Sequence, residues 1–292
     1  MPTTVLYCSD PLNGRRPDAH FAEEARAVRA AGGGIGLVDH DALLAGDTGR
    51  AVAAVPAGAG PLWYRGWMIP AGRYAELDAA LRERGAALRV TPDAYRRAHE
   101  LPGWYEAFAG LTPPSRWLAT PPGRTPEADR LAEAAAALPS RAGIVKDYVK
   151  SRKHEWAEAC HLPDLTDRDA VHRVVDRFVE LQGEDLTGGV VLRAFEPFTA
   201  AGGVAAEVRV WWRDGEPRMV TAHPDSPYAE AAAPDLGAVR AAVAELGCGF
   251  VTTDLALRTD GVWRVVEVGD GQVSDLHREA EREAFVRLLT GD

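Results

Sequence analysis

The first part of the chain has short apolar runs separated by segments with helical spacing, which is typical of strands that alternate with helices. The runs "TVLYCS", "GGGIGLVDH" and "PLWYRGW" predict strands. Residues 18–31 and 75–84 predict helices, the first with Phe21, Ala25 and Val28 on one face. The segment "ALRVTPDAYRRAHE" predicts a strand, a turn and a helix. Because strands alternate with helices, we expect an α/β region with a largely parallel sheet.

The pattern changes in the second part of the chain. Five prolines in "LTPPSRWLATPPGRTP" predict a linker over residues 111–126. A helix over residues 126–138, a strand in "RAGIVKDYVKS" and an amphipathic helix in "DRDAVHRVVDRFVELQG" follow. The strand "GGVVLRAFEPF" then precedes two hairpins, which turn at Asp214-Gly215 and at Asp260-Gly261. This order predicts an α+β part with antiparallel sheets, and a last helix is expected from near Asp275.

Charge and cysteine usage narrow the classes of function. The chain has 292 residues and a formal net charge of −10, so no extended basic face is available for a nucleic acid. The three cysteines lack the spacing of a metal site or a disulfide framework. No apolar run is long enough for a membrane span or resembles a signal peptide. We therefore expect a cytoplasmic protein without nucleic-acid or membrane partners, and no pattern indicates its oligomeric state.

All three lysines of the chain lie in one stretch, "IVKDYVKSRKHEW". They are Lys146, Lys150 and Lys153, and the other 30 of the 33 basic residues are arginines. Lysines at a strand end and in the adjacent loop can gather around a polyphosphate as point charges, and Ser151 adds a hydroxyl group. The alternative is a solvated basic loop. The contrast between lysine here and arginine elsewhere favours a binding role.

The last hairpin carries acidic residues on both strands. Asp254 and Glu267 are equally distant from the turn at Asp260-Gly261, so they are expected to face each other, and Asp270 lies just beyond. Opposed carboxylates in apolar surroundings repel each other unless a cation lies between them, and oxygen ligands suit Mg²⁺. The alternative is a solvent-facing edge with incidental acids.

Two further strands carry candidate contacts for a nucleotide. In "EVRVWW", Glu207 and Arg209 lie on one face, where Arg209 could neutralise a phosphate and Glu207 could lie beside Mg²⁺ or a lysine. The alternative is a surface cross-strand pair. In "VVLRAFEPF", a strand ends in a bend that offers backbone groups to a planar base, and Glu196 could bind a ribose hydroxyl.

The order of these motifs resembles the ATP-grasp superfamily, and within it the clade whose two nucleotide-contacting lysines lie in the central subdomain. The resemblance covers roughly Arg116 to the C-terminus, the preceding region is similar to a pre-ATP-grasp domain, and "YRGWM" also looks like a motif of that clade. It implies an α/β pre-ATP-grasp domain over residues 1–115. A central nucleotide-binding lobe over residues 116–190 and a C-terminal lobe with the metal-binding hairpin over residues 191–292 would complete a two-lobed ATP-grasp domain.

The resemblance also implies roles for individual residues. Lys146 would reach the α- and β-phosphates of ATP, and Lys153 would be the second lysine, with Lys150 as its competitor. A hinge against adenine, a ribose contact and a phosphate contact would come from Arg193, Ala194 and Phe195, from Glu196, and from Arg209.

For the metal, the resemblance implies that Asp254 and Glu267 hold Mg²⁺. The family usually has an asparagine two residues after this glutamate, where this chain has Gly269. Asp270 is then the candidate substitute.

As for activity, the resemblance implies an ATP-dependent carboxylate–amine ligase that forms an amide or peptide bond through an acylphosphate and releases ADP and phosphate. Its partners would be a small-molecule or peptide carboxylate and an amine. The alternatives are a kinase-like phosphotransferase on the same fold and a catalytically weak nucleotide-binding regulatory protein. Arg65 could pair with a substrate carboxylate, or stack on Trp63 or Trp67. His154 and His223 are candidate bases, although lone histidines are more often structural.

Overall fold

The computed structural model describes residues 3–198, 200–201, 204–205, 207–225 and 233–291. The chain forms two compact units, each built from discontinuous segments. The first unit comprises residues 1–98, 207–254 and 268–292, and the second comprises residues 99–206 and 255–267. The three-part division at residues 115 and 190 remains a prediction. No helix in the described part of the chain combines the length and the apolarity that a membrane crossing requires.

The N-terminal part of the first unit is an α/β layer around a mostly parallel sheet. Strand β1 (Thr4–Asp10) is central and pairs in parallel with β3 (Gly34–Val38) and β4 (Leu62–Arg65), while β2 (Asn13–Pro17) pairs antiparallel with the end of β1. The helices of this part are α1 (Ala22–Ala30), α2 (His40–Leu44), α3 (Thr48–Ala51), α4 (Ala71–Glu83) and α5 (Pro92–His99). The predicted parallel α/β arrangement is confirmed.

Two local predictions in this unit need correction. The strand expected in "ALRV" is reduced to one isolated bridge between Leu62 and Leu88, because Pro92 begins α5 only four residues later. The last helix, α11 (Arg282–Thr290), begins later than the expected Asp275. Helix α4 begins at Ala71, four residues before the apolar spacing predicted.

A second four-stranded sheet is antiparallel where its pairings are described. Its order is β12-β11-β13-β14, and its strands are β11 (Glu207–Arg213), β12 (Glu216–Ala222), β13 (Phe250–Leu257) and β14 (Trp263–Asp270). Asp214 and Gly215 both have positive φ, 52° and 79°, as a two-residue hairpin turn requires, which confirms the turn predicted there. Helix α10 (Gly237–Leu246) connects the two hairpins.

The core of the first unit joins its two sheets. Trp211 and Phe250 from the second sheet pack with Phe285 of α11, and the rings of Trp211 and Phe285 meet edge to face at 4.8 Å. Trp63 of β4 meets Phe250 at 5.4 Å. Aromatic pairs of this kind add to the stabilisation that burial provides.

The second unit is an antiparallel sheet covered by helices on one face. Its strand order is β5-β8-β6-β7, with a separate short pair of strands. The strands are β5 (Ser115–Ala119), β6 (Gly143–Lys146), β7 (His161–Leu162), β8 (Gly189–Ala194), β9 (Ala200–Ala201) and β10 (Val204–Ala205). The helices are α6 (Leu101–Trp104), α7 (Ala128–Ala136), α8 (Trp156–Ala159) and α9 (Arg168–Gln182).

The proline-rich stretch expected to be a linker contains β5. Residues 115–119 pair antiparallel with β8 in unbroken register, from Ser115 opposite Arg193 to Ala119 opposite Gly189. The prolines flank this strand and do not interrupt it, so they leave its backbone N–H groups free to pair. The linker interpretation of this segment is therefore wrong.

Candidate functional site

One face of the sheet in the second unit is apolar and the other carries basic side chains. Val145 of β6 pairs with Leu192 of β8, and both belong to the core formed with α7 and α9. Successive side chains of a strand point to opposite faces. The partners on the other face therefore include Lys146 and Arg193, one on each of these two strands.

Lys146 is buried at the end of β6, with 4% of its surface exposed. Burial lowers the pKa of this lysine, and the nearby Glu267 carboxylate opposes the shift. Its Nζ donates a hydrogen bond of 3.3 Å to the carbonyl oxygen of Val149. Among the described residues, the ammonium group thus has a single neutral acceptor, although it is out of water.

Arg193 is a second buried cation on this face. Its Nε donates to Ser115 Oγ at 3.0 Å and its Nη1 donates to the carbonyl oxygen of Val266 at 2.6 Å, while its guanidinium lies over the Trp104 ring at 5.8 Å. Nη2 is buried and has no hydrogen-bond partner in the described part of the chain. Burial lowers the pKa of Arg193 to about 10, against the opposing charge of Glu267. The face therefore holds a buried donor that an added acceptor would satisfy.

The turn after Lys146 is fixed by Asp147. One carboxylate oxygen accepts from the backbone N–H groups of Val149 and Lys150, and the other accepts from Gln182 Nε2 at 2.9 Å and from the N–H of Thr187 at 3.2 Å. The chain then returns, so that Lys146 forms an antiparallel bridge with Ser151. Lys150 and Ser151 are exposed on this turn.

The other two lysines occupy different places. Burial and the positive charges of Lys150 and Lys146 lower the pKa of the buried His99 to about 4, so the two ammonium groups act on one imidazole. Lys153 is exposed and begins a short 3₁₀ turn that leads to α8. The structure thus brings Lys150 close to Lys146, and places Lys153 on the following segment.

The end of β8 lies beside a partly exposed aromatic cluster. The N–H of Ala194 donates to Pro114 and the N–H of Phe195 donates to Ala142, at 2.8 and 2.9 Å. The Phe195 ring, 37% exposed, meets the rings of His161 at 5.4 Å and Trp156 at 6.0 Å, and Trp156 stacks on His161. The sequence interpretation missed Trp156 and His161. Their signal was the placement of aromatic rings in the polar segment that follows the lysines.

Glu196, expected near a ribose, is held by two arginines. Its oxygens accept from Arg264 Nε at 2.9 Å and from Nη2 at 3.0 Å, and Arg258 Nη1 lies 3.5 Å away. Any hydroxyl that this carboxylate binds must share it with Arg264.

In the first unit, strands β11 and β13 bring Arg209 and Asp254 together. Arg209 donates from Nε and Nη2 to the two carboxylate oxygens of Asp254, at 2.8 and 2.7 Å, and from Nη1 to the carbonyl oxygen of Asp275. His223 Nε2 lies 3.5 Å from Asp254 Oδ2 and 3.9 Å from Glu207 Oε1. Burial alone would raise the pKa of Asp254, but Arg209 holds it well below its usual range. Burial alone would lower the pKa of His223, but the Asp254 carboxylate raises it.

Asp270 is the end residue of β14 and is completely buried. Its Oδ1 accepts from the N–H and the Nε2 of Gln272, at 2.9 and 3.0 Å, and its Oδ2 has no partner among the described residues. Burial raises the pKa of Asp270 to about 7, against the opposing hydrogen bonds from Gln272. A Cβ at Gly269 would lie 3.1 Å from Thr252 Oγ1 and 3.3 Å from Ser274 Oγ. An asparagine at that position would therefore have to displace two hydroxyl groups that hydrogen-bond each other.

Arg65 is buried and forms its hydrogen bonds inside the first unit. Nε donates to Glu24 at 2.9 Å, and Nη1 donates to the carbonyl oxygens of Gln272 and Ser274 at 3.1 and 2.7 Å. The guanidinium lies over the Phe285 ring at 4.9 Å. Arg65 therefore fixes the segment that follows Asp270, and its contact with a substrate carboxylate remains a prediction.

Comparisons with known proteins agree with this fold. Residues 121–289 match an ATP-grasp domain family, the third family of its clade, and the chain belongs to this family. The fold is similar to that of the D-cycloserine synthetase DcsG, with 18% identity, a TM-score of 0.63 and 99% of both chains covered. No curated protein sequence matches the chain significantly.

Two further solved structures share the fold. A RimK domain ATP-grasp protein from Sphaerobacter thermophilus has 18% identity and a TM-score of 0.61, with 99% of this chain and 98% of that chain covered. The ATP-grasp ligase PsnB in complex with a minimal precursor has 15% identity and a TM-score of 0.57, with 100% and 99% covered. The prediction of an ATP-grasp enzyme with a mixed α/β fold is confirmed. The two nucleotide-contacting lysines and the other site residues remain predictions.

Proposed function

We propose that the protein is an ATP-dependent carboxylate–amine ligase that forms an amide or peptide bond and releases ADP and phosphate. One observation carries the proposal beyond family membership. The buried face of β6 and β8 holds two cations, Lys146 and Arg193, and Arg193 Nη2 has no acceptor among the described residues. Buried charges and donors are costly unless they are paired. The phosphate oxygens of ATP supply both the negative charge and the acceptors that this face lacks.

The remaining side chains of the second unit fit the other parts of ATP. In this proposal Lys146 contacts the α- and β-phosphates, and either Lys150 with Ser151 or Lys153 provides the second contact. The segment from Arg193 to Phe195 forms the hinge against adenine. The exposed rings of Trp156 and Phe195 support it, because a planar base stacks on aromatic rings. Glu196 approaches the ribose.

Mg²⁺ is the metal that this chemistry requires, and the residues present suit it. We propose Asp254, Glu267 and Asp270 as its ligands, with Glu207 close to the metal or to a lysine. Asp270 Oδ2 supports the assignment, because it is a buried carboxylate oxygen without a donor in the described part of the chain. Bound Mg²⁺ would neutralise phosphate charge.

The proposed reaction has two steps. A carboxylate oxygen of the substrate attacks the γ-phosphorus, the bond to the bridging oxygen breaks, and ADP leaves with the bond electrons. The amine then attacks the carbonyl carbon of the acylphosphate, phosphate leaves, and the nitrogen loses its proton. The positive charges of Lys146 and Arg209 stabilise the negative charge on the phosphoryl group as it is transferred. Arg209 can do so only by giving up at least part of its pairing with Asp254.

The substrates that we propose are a small-molecule or peptide carboxylate and an amine, used in the cytoplasm where ATP is available. Two structures of similar fold are named for a synthetase of D-cycloserine and for a ligase that binds a precursor. Arg65 remains a candidate for the carboxylate. Its Nη2 makes no hydrogen bond to any described residue, so this nitrogen would have to form the contact.

Isotope transfer tests the proposed reaction. The protein is incubated with ATP, Mg²⁺ and pools of amines and of carboxylates labelled with ¹⁸O, and ADP, free phosphate and products are measured. Ligation predicts that ADP and phosphate form only when both pools are present, and that one ¹⁸O atom moves from the carboxylate to phosphate. A phosphorylated product without free phosphate would instead identify a kinase. Absence of ATP binding by calorimetry would refute every nucleotide-dependent function.

A further inference from the structure

A polar surface in the first unit lies on the same sheet face as part of its core. On β11, Trp211 belongs to the core, while Arg209 and Glu207 follow on the same face towards the start of the strand. On β12, Thr221 pairs with Arg209, and the N–H of His223 donates to the carbonyl oxygen of Glu207. The face therefore changes from apolar to polar within two residue pairs.

Three side chains on this polar surface can direct one atom each to a common point. The candidate ligand atoms of Glu207, His223 and Asp254 all lie within 4.8 Å of one another. His223 Nε2 is 3.9 Å from Glu207 Oε1 and 3.5 Å from Asp254 Oδ2. Metal bonds of about 2.1 Å at right angles would separate two ligand atoms by about 3 Å, so side-chain movements of about 1 Å would complete a coordination sphere.

The pairing of Asp254 with Arg209 leaves room for a cation. Each Asp254 oxygen accepts one hydrogen bond from Arg209 and has a second lone pair. With a neutral imidazole, the two carboxylates outnumber the single guanidinium, and the resulting net negative charge favours a cation. Thr221 is buried on the same surface, 7% exposed, and its Oγ1 has no hydrogen-bond partner among the described residues. A water molecule on a bound metal would supply that partner.

The imidazole decides which cation the cluster would select. Mg²⁺ prefers oxygen ligands and dehydrates reluctantly, whereas imidazole nitrogen suits first-row transition metals. We propose that Glu207, His223 and Asp254 bind a divalent transition-metal ion in preference to Mg²⁺. This site is distinct in composition from the proposed Mg²⁺ ligands, with which it shares only Asp254. It exists without nucleotide, so it goes beyond the proposed ligase function and stands or fails separately.

Mn²⁺ is the probe for the test, because its electron paramagnetic resonance distinguishes free from bound ion. The wild-type protein without nucleotide is titrated with Mn²⁺, and the bound fraction is examined by electron spin-echo envelope modulation. We expect one Mn²⁺ per chain with ¹⁴N coupling from one imidazole, retained in excess Mg²⁺ and displaced by Zn²⁺. Bound Mn²⁺ without ¹⁴N coupling, or displacement by equimolar Mg²⁺, would overturn the proposal.

Variants assign the site to its residues. His223→Ala should abolish the ¹⁴N coupling and weaken Mn²⁺ binding by about tenfold or more. Glu207→Gln should weaken binding while keeping the coupling. His172→Ala, which removes a histidine on α9 of the second unit, is the matched control and should bind Mn²⁺ as the wild type does. Circular dichroism confirms that each variant is folded. Wild-type coupling in folded His223→Ala would place the ion elsewhere and refute the site.

Discussion

The two units hold their buried arginines in opposite ways. In the second unit, the described partners of Arg193 are neutral acceptors, and one of its nitrogens has none. In the first unit, Arg209 is paired through two hydrogen bonds with the buried Asp254. The first arrangement is ready for an anion and destabilises the protein until one arrives. The second is neutralised internally, so that a ligand must compete with an existing ion pair.

The largest effect expected from this difference is on the stability of the first unit. Arg209→Ala leaves the carboxylate of Asp254 buried with only His223 nearby, so we expect a loss of about 3–5 kcal/mol in the free energy of unfolding. Urea denaturation measures it. The double variant Arg209→Leu with Asp254→Leu should recover much of the loss, because no unpaired charge remains. Equal stability of single and double variants would show that the ion pair is not the cause.

A large effect on turnover is expected in the second unit. Lys146→Ala should reduce ATP-dependent turnover about 100- to 1000-fold, the range seen when a preorganised group that stabilises developing charge is lost. The same variant should not lower the free energy of unfolding, because it removes a charge whose burial is unfavourable. Thermal unfolding without ATP provides this second measurement. A variant that is both inactive and unfolded would point to a structural role for Lys146.

Lys150→Ala and Lys153→Ala are the matched variants for the second lysine. The lysine that contacts phosphate should show a clear loss of ATP affinity on substitution, whereas the other variant should bind ATP as the wild type does. Calorimetry with ATP measures both. Equal losses in the two variants would contradict the choice of a single second lysine.

The buried carboxyl of Asp270 adds a pH dependence to the first unit. Its pKa is raised to about 7 in the folded protein, so the folded state retains a proton that the unfolded state loses at lower pH. Stability should therefore fall as pH rises from about 4 to about 7. Asp270→Asn should remove this slope, and near pH 8 should raise the free energy of unfolding of metal-free protein by about 2 kcal/mol. An unchanged slope in the variant would assign it to other groups.

A smaller effect is expected where the second unit would hold the base. Trp156→Ala should weaken ATP binding by about 1–3 kcal/mol, the contribution of one base–aromatic contact. Binding of tripolyphosphate is the control, because this ligand has the phosphates and lacks the base. A parallel loss for both ligands would show that Trp156 supports the lysine turn and does not contact adenine.

Local signals in the sequence predicted several parts of the fold. Asp214 and Gly215 specify a hairpin because both adopt positive φ, and the spacing in α9 is apolar on one face. The strand β5 was missed because its pairing with β8 joins residues far apart in the chain, while its prolines have a purely local effect. Chain-wide register is not readable from a local pattern.

The candidate site divides in the same way. Lys146 stood out because lysine is rare in this chain, and Asp254 stood out because it lies on a hairpin with a clear turn. The cluster of Glu207, His223 and Asp254 requires three strands to be in register, so sequence reasoning left His223 as a lone histidine. The missing hydrogen bond of Arg193 Nη2 likewise becomes visible only when the packing around it is known.

The confinement of all lysines to one turn makes the molecule its own reporter. A lysine-specific protease or an amine-reactive dye finds ε-amino groups only at residues 146, 150 and 153. Lys150 and Lys153 are exposed, whereas Lys146 is buried behind the turn that Asp147 fixes. The ratio of labelling at these positions therefore measures local opening of the candidate site by mass spectrometry. No engineered probe is needed, and protection on adding ATP would map the ligand in the wild-type chain.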